Sequence, residues 1–264
     1  MLLLTHTWIL KEFLGASQLC SEVLDLFAYN ASPDLLPIHT QITADITHGV
    51  PRSCHIPPEY RKAAFAQFHL LVDDIAHHGR ILEKPIRAFN PHSEGYTYIK
   101  GRPLMRPIAD FHKSIGREIN VNDAAYQAHM IFEMAFDLTL YRQMGNGDLI
   151  RLFCNALNHT VANSILEFSS SLGWLFSVKE ETIREAIDWG KDACTFDRMT
   201  HFMNSEDRIG LYIDKFGLDR EDKKIWEGVE SLMTQGLDLV GDYEDFLPST
   251  MEAIKDSGFT SFLL

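Results

Sequence analysis

The sequence has 264 residues, of which 45% are hydrophobic and 23% are charged. These proportions are ordinary for a globular protein and exclude a chain that is disordered along most of its length. Acidic side chains outnumber basic ones 37 to 24, and the formal net charge of −13 makes binding to long nucleic acids unfavourable.

Apolar residues recur at three- and four-residue spacings through most of the chain, which predicts an all-α fold. We expect one helical domain over residues 1–264, with the densest polar motifs in residues 1–145 and additional helices in residues 146–264. The predicted helices span residues 2–14, 18–29, 57–79, 107–116, 122–143, 148–176 with an interruption, 178–194 and 220–246.

Proline and glycine mark the breaks between the first of these helices. Residues 32–34, Ser-Pro-Asp, interrupt the second helix, so Asp34 is expected in a turn or at a helix start. Two prolines at positions 57 and 58 open the long helix that ends at Gly79. Residues 80–107 are rich in proline, glycine and aromatic side chains, and a segment of this length predicts a functional loop such as a lid, or a small hairpin.

The strongest chemical signal is the series His69, Asp73 and His77, spaced four residues apart in the long predicted helix. On a helix these positions share one face, with adjacent Cβ atoms about 5–6 Å apart. Such spacing allows the three side chains to reach one metal ion or two neighbouring ions. Taken alone, the motif also fits a hydrogen-bonded His–Asp pair near a helix end.

A second signal is the pair His129 and Glu133, with Asp137 one turn further along the same predicted helix. Their neighbours are apolar, and a buried carboxylate or imidazole is costly unless it is paired or coordinated. A solvated helix edge or an ion pair in the core would also explain this pair. Two helices that each carry a histidine four residues before a carboxylate favour a metal centre, and this donor set suits zinc, and also iron or manganese.

In order and spacing these residues resemble the zinc-dependent phospholipase C family, a helical group related to single-strand-specific nucleases that use a three-zinc cluster. Intracellular bacterial members carry a histidine in the first helix, a Pro-Asp in a loop, another histidine, a His-x3-Asp-x3-His helix and a His-x3-Glu helix. The match covers residues 5–137, about half of the chain. The corresponding residues are His6, Asp34, His48, His69, Asp73, His77, His129 and Glu133.

The resemblance implies a multi-helix bundle of the phospholipase C and zinc nuclease type, with all eight residues as metal ligands. One zinc would be held by His48, His69 and Asp73, a second by His77, His129 and Glu133, and a third by His6 and Asp34. Asp73 is expected to bridge two metals, and Asp34 to accept a proton from the attacking water. Secreted members use their mature N-terminal residue as a ligand of the third metal. No leader is visible before His6, so the third ion is the least secure of the three.

The activity implied by the resemblance is that of a metal-dependent phosphoric ester hydrolase. Its substrate would be a phospholipid, another phosphodiester or a small phosphorylated metabolite, and Lys100 and Arg102 are candidate phosphate contacts or simply solvated loop residues. A phosphohydrolase of the HD type is a weaker alternative, because no His-Asp dipeptide occurs in the chain. A helical metal-binding or interaction protein without catalysis is the alternative from a different class.

Other histidines and carboxylates are less strongly indicated. His39 and Asp45 lie close in sequence to the proposed ligands, and we keep them as alternatives to His48 and Asp34. His78 directly follows a proposed ligand, so we expect it on a different helix face unless the helix end at Gly79 turns it inward.

Several features favour a cytoplasmic protein. The apolar stretch at the start of the chain is interrupted by Lys11 and Glu12 and has no basic segment before it, so we expect no signal peptide. No run approaches the ~20 apolar residues that span a bilayer. The four cysteines form no CxxC pair, which is typical of reduced thiols, and the oligomeric state is left open.

Overall fold

In a computed structural model of the chain, the described residues are 2–15, 21–86, 90–145 and 147–259, without the side chains of residues 21 and 22. These residues form helices, turns and loops, and no β-strand occurs among them, which confirms the predicted all-α class. The α-helices are α1 Leu3–Leu14, α2 Ser21–Leu35, α3 Ala44–His48, α4 Ala64–His78, α5 Tyr96–Gly101, α6 Met105–Ser114, α7 Val121–Gln143, α8 Asp148–Asn163, α9 Ile165–Phe176, α10 Glu180–Ala193, α11 Phe196–His201, α12 Ser205–Lys215, α13 Lys223–Val240 and α14 Phe246–Asp256.

Helices α4 and α7 carry the two histidine motifs and are covered by other helices on most sides. All of residues 64–76 in α4 are buried, and this helix packs against α2, α5 and α14. Helix α7 packs against α1, α5, α6, α12 and α13. A helix enclosed in this way is apolar around most of its circumference. The polar side chains of both motifs are therefore placed in the interior of the protein.

Helix α2 continues through Pro33, so the predicted break at residues 32–34 is wrong. Proline has no N–H to donate to the carbonyl four residues earlier. The hydroxyl of Ser32 donates to that carbonyl, on Tyr29, at 2.7 Å. Asp34 consequently lies in the last turn of α2. The predicted start of this helix, at residue 18, falls outside the described residues.

Residues 96–107 of the segment 80–107 are helical, so the small hairpin that we considered there is wrong. Its second half forms α5, a 3-10 turn over Arg102–Leu104 and the start of α6. Two glycines permit close approaches that sequence patterns do not reveal. A Cβ at Gly95 would lie 2.3 Å from the carbonyl oxygen of His77, and one at Gly101 would lie 2.9 Å from that of Ala128. The loop is therefore shorter than predicted and lies between α4 and α5.

The C-terminal half agrees in part with the expected helices. The interruption predicted within residues 148–176 occurs at Ser164, between α8 and α9. The helix predicted over residues 220–246 ends earlier, at Gly241, which has a φ of +57°. Helices α11, α12 and α14 were not predicted. Among the described residues, none of the helices has both the length and the apolar character that crossing a bilayer requires.

The junction between α2, α8 and α9 is held by the buried carboxylate of Asp25. It accepts hydrogen bonds from Lys62 Nζ at 3.1 Å, Thr160 Oγ1 at 3.0 Å and Ser164 Oγ at 2.7 Å. Ser164 lies between the end of α8 and the start of α9. The Asp25 carboxylate therefore holds this junction against α2.

Asp25→Ala is expected to lower the free energy of unfolding by about 3 kcal/mol, because Lys62, Thr160 and Ser164 lose their shared acceptor. Chemical denaturation measures the change. Glu167→Ala serves as the control, since Glu167 is the exposed partner of the same lysine, and its loss should cost less than about 1 kcal/mol. Equal, small effects of the two substitutions would contradict this account of the junction.

Candidate metal centre

A cavity of about 640 Å³ opens beside α4 and α7, and it is walled by α3, the start of α1 and the loop before α5. Six of the eight candidate ligands line it. They are Asp34, His48, Asp73, His77, His129 and Glu133. The other two, His6 and His69, are fully buried and contact the lining carboxylates. The structure thus brings all eight residues to one place.

Five of these residues form what we call the first group, which comprises His6, Asp34, His48, His69 and Asp73. The Asp73 carboxylate lies at its centre. One oxygen is 3.2 Å from His6 Nε2, and the other is 3.5 Å from both His48 Nε2 and His69 Nε2. Asp34 lies 3.3 Å from His48 Nε2 and 3.7 Å from His69 Nε2. The rings of His6 and His69 stack with their centroids 3.6 Å apart.

The remaining three residues, His77, His129 and Glu133, form the second group. His77 Nε2 and Glu133 Oε1 are 2.8 Å apart, and the rings of His77 and His129 have centroids 5.5 Å apart. The Tyr98 ring stacks on His129 at 4.7 Å. One donor atom from each of the three residues fits within a mutual distance of 4.8 Å, which is compact enough to hold one ion.

The first group can be divided into two such sets of donor atoms. His6, His69 and Asp73 form one set, and Asp34, His48 and His69 form the other, each within 4.8 Å. The family resemblance instead pairs His6 with Asp34. His69 belongs to both sets, and since one imidazole nitrogen coordinates one cation, it would serve only one of them at a time.

His6 is held in place by Asp137, which lies one helical turn beyond Glu133 on α7. Helix α1 has no side-chain N-cap of its own. The Asp137 carboxylate substitutes for one, because it accepts hydrogen bonds from the backbone N–H groups of Leu4 and Thr5 at 3.3 and 3.0 Å and from the Thr5 hydroxyl at 2.7 Å. Asp137, which follows His129 and Glu133 along α7, therefore positions the start of α1.

The buried rings of His6 and His69 supply a test of whether the site suits a metal ion. The Nδ1 atoms of both rings have no hydrogen-bond partner among the described residues. The Nε2 atoms face the Asp73 carboxylate, at 3.2 Å from His6 and 3.5 Å from His69, without a well-aligned hydrogen bond. A buried polar atom without a partner costs about 1–3 kcal/mol. In a neutral imidazole one nitrogen carries the proton and the other carries a lone pair. Coordination of a cation by the lone-pair nitrogen of each ring would satisfy that atom, so the residues present fit a metal centre.

Burial also sets the protonation of the site. It lowers the pKa of His6 to about 4, with a further contribution from the adjacent His69, and it lowers the pKa of His129 to about 3. Both imidazoles are neutral at pH 7, which is the form that coordinates a cation. Burial by itself raises the pKa of Glu133, but neighbouring positive charge and the hydrogen bond with His77 outweigh it and hold this pKa below its usual range.

Of the three residues less strongly indicated by the sequence, one lies away from the cavity and two line it. His39 Nε2 is 3.2 Å from Glu185, and its ring contacts Trp189, so it is no substitute for His48. Asp45 lines the cavity. His78 also lines it, at the last residue of α4 before Gly79, so the helix end turns it inward.

The two predicted phosphate contacts are engaged outside the cavity. Lys100 pairs with Asp245 at 2.5 Å, and Arg102 donates to the carbonyl of Ser93 at 2.9 Å. Two other cationic residues, Arg52 and Lys215, line the cavity and were missed by the sequence analysis. Neither belongs to a spacing pattern that would have revealed it.

Comparisons with models of protein families, with curated proteins and with solved structures find no match for this chain.

The histidine pKa values predict how the stability of metal-free protein depends on pH. The unfolded chain protonates these histidines below about pH 6.5, whereas folded His6 and His129 stay neutral down to about pH 4 and 3. The free energy of unfolding should therefore fall as the pH is lowered from 6.5 toward 4, by up to roughly 3 kcal/mol for each group. Denaturation of chelator-treated protein at a series of pH values measures this slope.

The slope should become smaller in His6→Asn and stay unchanged in His201→Asn, since the His201 side chain is 75% exposed. A stability that is the same at pH 7 and pH 5 would show that the buried imidazoles are not held neutral.

Proposed function

We propose that this chain is a metal-dependent phosphoric ester hydrolase, the activity implied by its resemblance to the zinc-dependent phospholipase C family. The observation that carries the proposal is the pair of fully buried imidazoles, His6 and His69, whose Nε2 atoms face the Asp73 carboxylate and whose Nδ1 atoms have no hydrogen-bond partner within the described chain. Zinc is the cation that this donor set suits best, at about two or three ions per chain.

The openness of the site favours catalysis over a purely structural role. Structural zinc sites are closed by four protein ligands, whereas catalytic sites keep a position open for water or substrate. Here the second group offers three ligands, and its residues line a cavity of about 640 Å³. That volume is within the usual range for small-molecule sites.

Divalent cations in such a centre supply Lewis acidity and lower the pKa of water from 15.7 to roughly 7. The chain supplies the remaining functions. His77, His129 and Glu133 would hold one cation, and the first group would hold one or two more. To Asp34, whose side chain is partly exposed at the cavity, we assign the acceptance of a proton from the attacking water.

Lys215 is the residue that we assign to the substrate phosphate. It reaches the cavity from the end of α12, with Nζ 5.6 Å from the centre of the Tyr126 ring. Tyr126 in turn contacts His129, at 5.0 Å between ring centroids. The other lining cation, Arg52, is paired with Asp74. Lys215 has no carboxylate within 4.0 Å among the described residues, so its charge is available to an anionic substrate.

The substrate is a phospholipid, another phosphodiester or a small phosphorylated metabolite. The formal charge of −13 disfavours long nucleic acids, whose phosphates would meet net repulsion. A single phosphoryl group held by bound cations and one lysine avoids most of that repulsion.

Elemental analysis of the purified protein should find about two or three metal ions per chain. His69→Ala and Glu133→Ala are expected to lose ions and to lower the hydrolysis of bis(p-nitrophenyl) phosphate by more than about 100-fold. His201→Ala, at an exposed histidine, should change neither quantity.

Wild-type protein without bound metal would overturn the proposal. Protein that keeps its metal but hydrolyses no phosphoester would instead be a metal-binding protein without this catalytic activity.

Lys215→Ala is expected to raise the KM for bis(p-nitrophenyl) phosphate roughly tenfold, because one charge contact of about 1.4 kcal/mol is lost, and to leave the metal content unchanged. Steady-state kinetics measures the effect. Lys223→Ala is the control, since the Lys223 side chain is 90% exposed on α13. An unchanged KM in Lys215→Ala would remove this residue from the substrate site.

A further inference from the structure

The side chains of Arg52 and Asp74 form a buried ion pair beside the metal centre. They are 7% and 3% exposed. The guanidinium donates two hydrogen bonds to the carboxylate, from Nη2 at 2.7 Å and from Nε at 3.0 Å. A two-point contact of this kind fixes orientation as well as distance. Asp74 is the neighbour of Asp73 on α4.

The same guanidinium holds the end of α3. Its Nη1 donates to the backbone carbonyls of His48 at 3.0 Å and Val50 at 2.8 Å. Helix α3 has five residues and ends at His48. A helix of that length has almost no stability of its own. The position of His48 therefore depends on contacts from outside the helix, and Arg52 supplies two of them.

Asp74 also anchors the loop that walls the cavity. Its Oδ2 accepts a hydrogen bond from the backbone N–H of Leu82 at 3.0 Å. One ion pair thus joins three segments, which are the end of α3, the middle of α4 and the start of the loop before α5. Among the described residues, neither Arg52 nor Asp74 forms a side-chain hydrogen bond with a residue of the second group.

We propose that Arg52 and Asp74 are positioning residues that set the cation affinity of the first group by fixing His48 against Asp34 and His69. The pair acts on this group and leaves the second group unaffected. This inference rests on the proposed function in so far as both groups bind cations. Residues that orient metal ligands typically change metal affinity 10- to 100-fold when they are replaced.

The test is a zinc titration of metal-free full-length protein against a competing chelator, with Arg52→Ala and Asp74→Asn as variants. Each variant is expected to bind zinc 10- to 100-fold more weakly at the first group and to keep wild-type affinity at the second. His129→Ala is the matched control, in which the second group weakens and the first does not. Arg52→Lys keeps the charge but not the two-point contact, so its affinity should lie between those of wild type and Arg52→Ala.

Wild-type affinity at both groups in Arg52→Ala and Asp74→Asn would overturn the proposal, and so would an equal loss at both groups, which would indicate a general structural defect. Should Arg52→Ala not fold, Asp74→Asn retains the size of the side chain and decides the outcome.

A second measurement separates this proposal from the proposed function. Hydrogen exchange of metal-free protein should show faster exchange over residues 44–50 in Arg52→Ala than in wild type, with residues 121–143 unchanged. If wild type binds no zinc, the proposed function fails, and exchange still reports whether the pair fixes α3. Unchanged exchange over residues 44–50 would refute the positioning role.

Discussion

Burial of two imidazoles against one carboxylate is the constraint on which the rest of this structure depends. His6 and His69 are stacked and fully buried, their Nε2 atoms face Asp73 at 3.2 and 3.5 Å, and their Nδ1 atoms have no hydrogen-bond partner in the described chain. A buried polar atom without a partner costs about 1–3 kcal/mol, which is large relative to a typical stability of 5–15 kcal/mol. A cation coordinated by one nitrogen of each ring and by Asp73 would offset part of that cost, which is why we propose a metal centre here.

Much of the surrounding fold holds these ligands in position. Asp137 on α7 caps the start of α1 and so places His6. Arg52 and Asp74 tie the short helix that ends at His48 to α4. The C-terminal helices α12 and α13 pack on α7, which buries the helix that carries the second group. Residues far apart in the sequence therefore determine the geometry of one cavity.

The long helices and five of the candidate ligands were predictable from local spacing, because both motifs repeat every four residues on periodic helices. The other three, His6, Asp34 and His48, were indicated only by the family resemblance. Features that depend on distant or unusual contacts were not. Helix α2 passes through Pro33 because a serine hydroxyl replaces the missing donor. Residues 96–104 pack closely against α4 and α7, which the absence of a Cβ at Gly95 and Gly101 permits. Lys215 reaches the cavity from a helix that carries no motif, so tertiary structure alone reveals it.

Anomalous diffraction from zinc-loaded crystals tests the central claim most directly. We expect zinc peaks inside the cavity bordered by α4 and α7, at least one of them coordinated by His77, His129 and Glu133 and at least one by His69 and Asp73. Absence of zinc from this cavity, or peaks confined to surface residues elsewhere, would contradict the claim that the buried imidazoles and carboxylates form a metal centre.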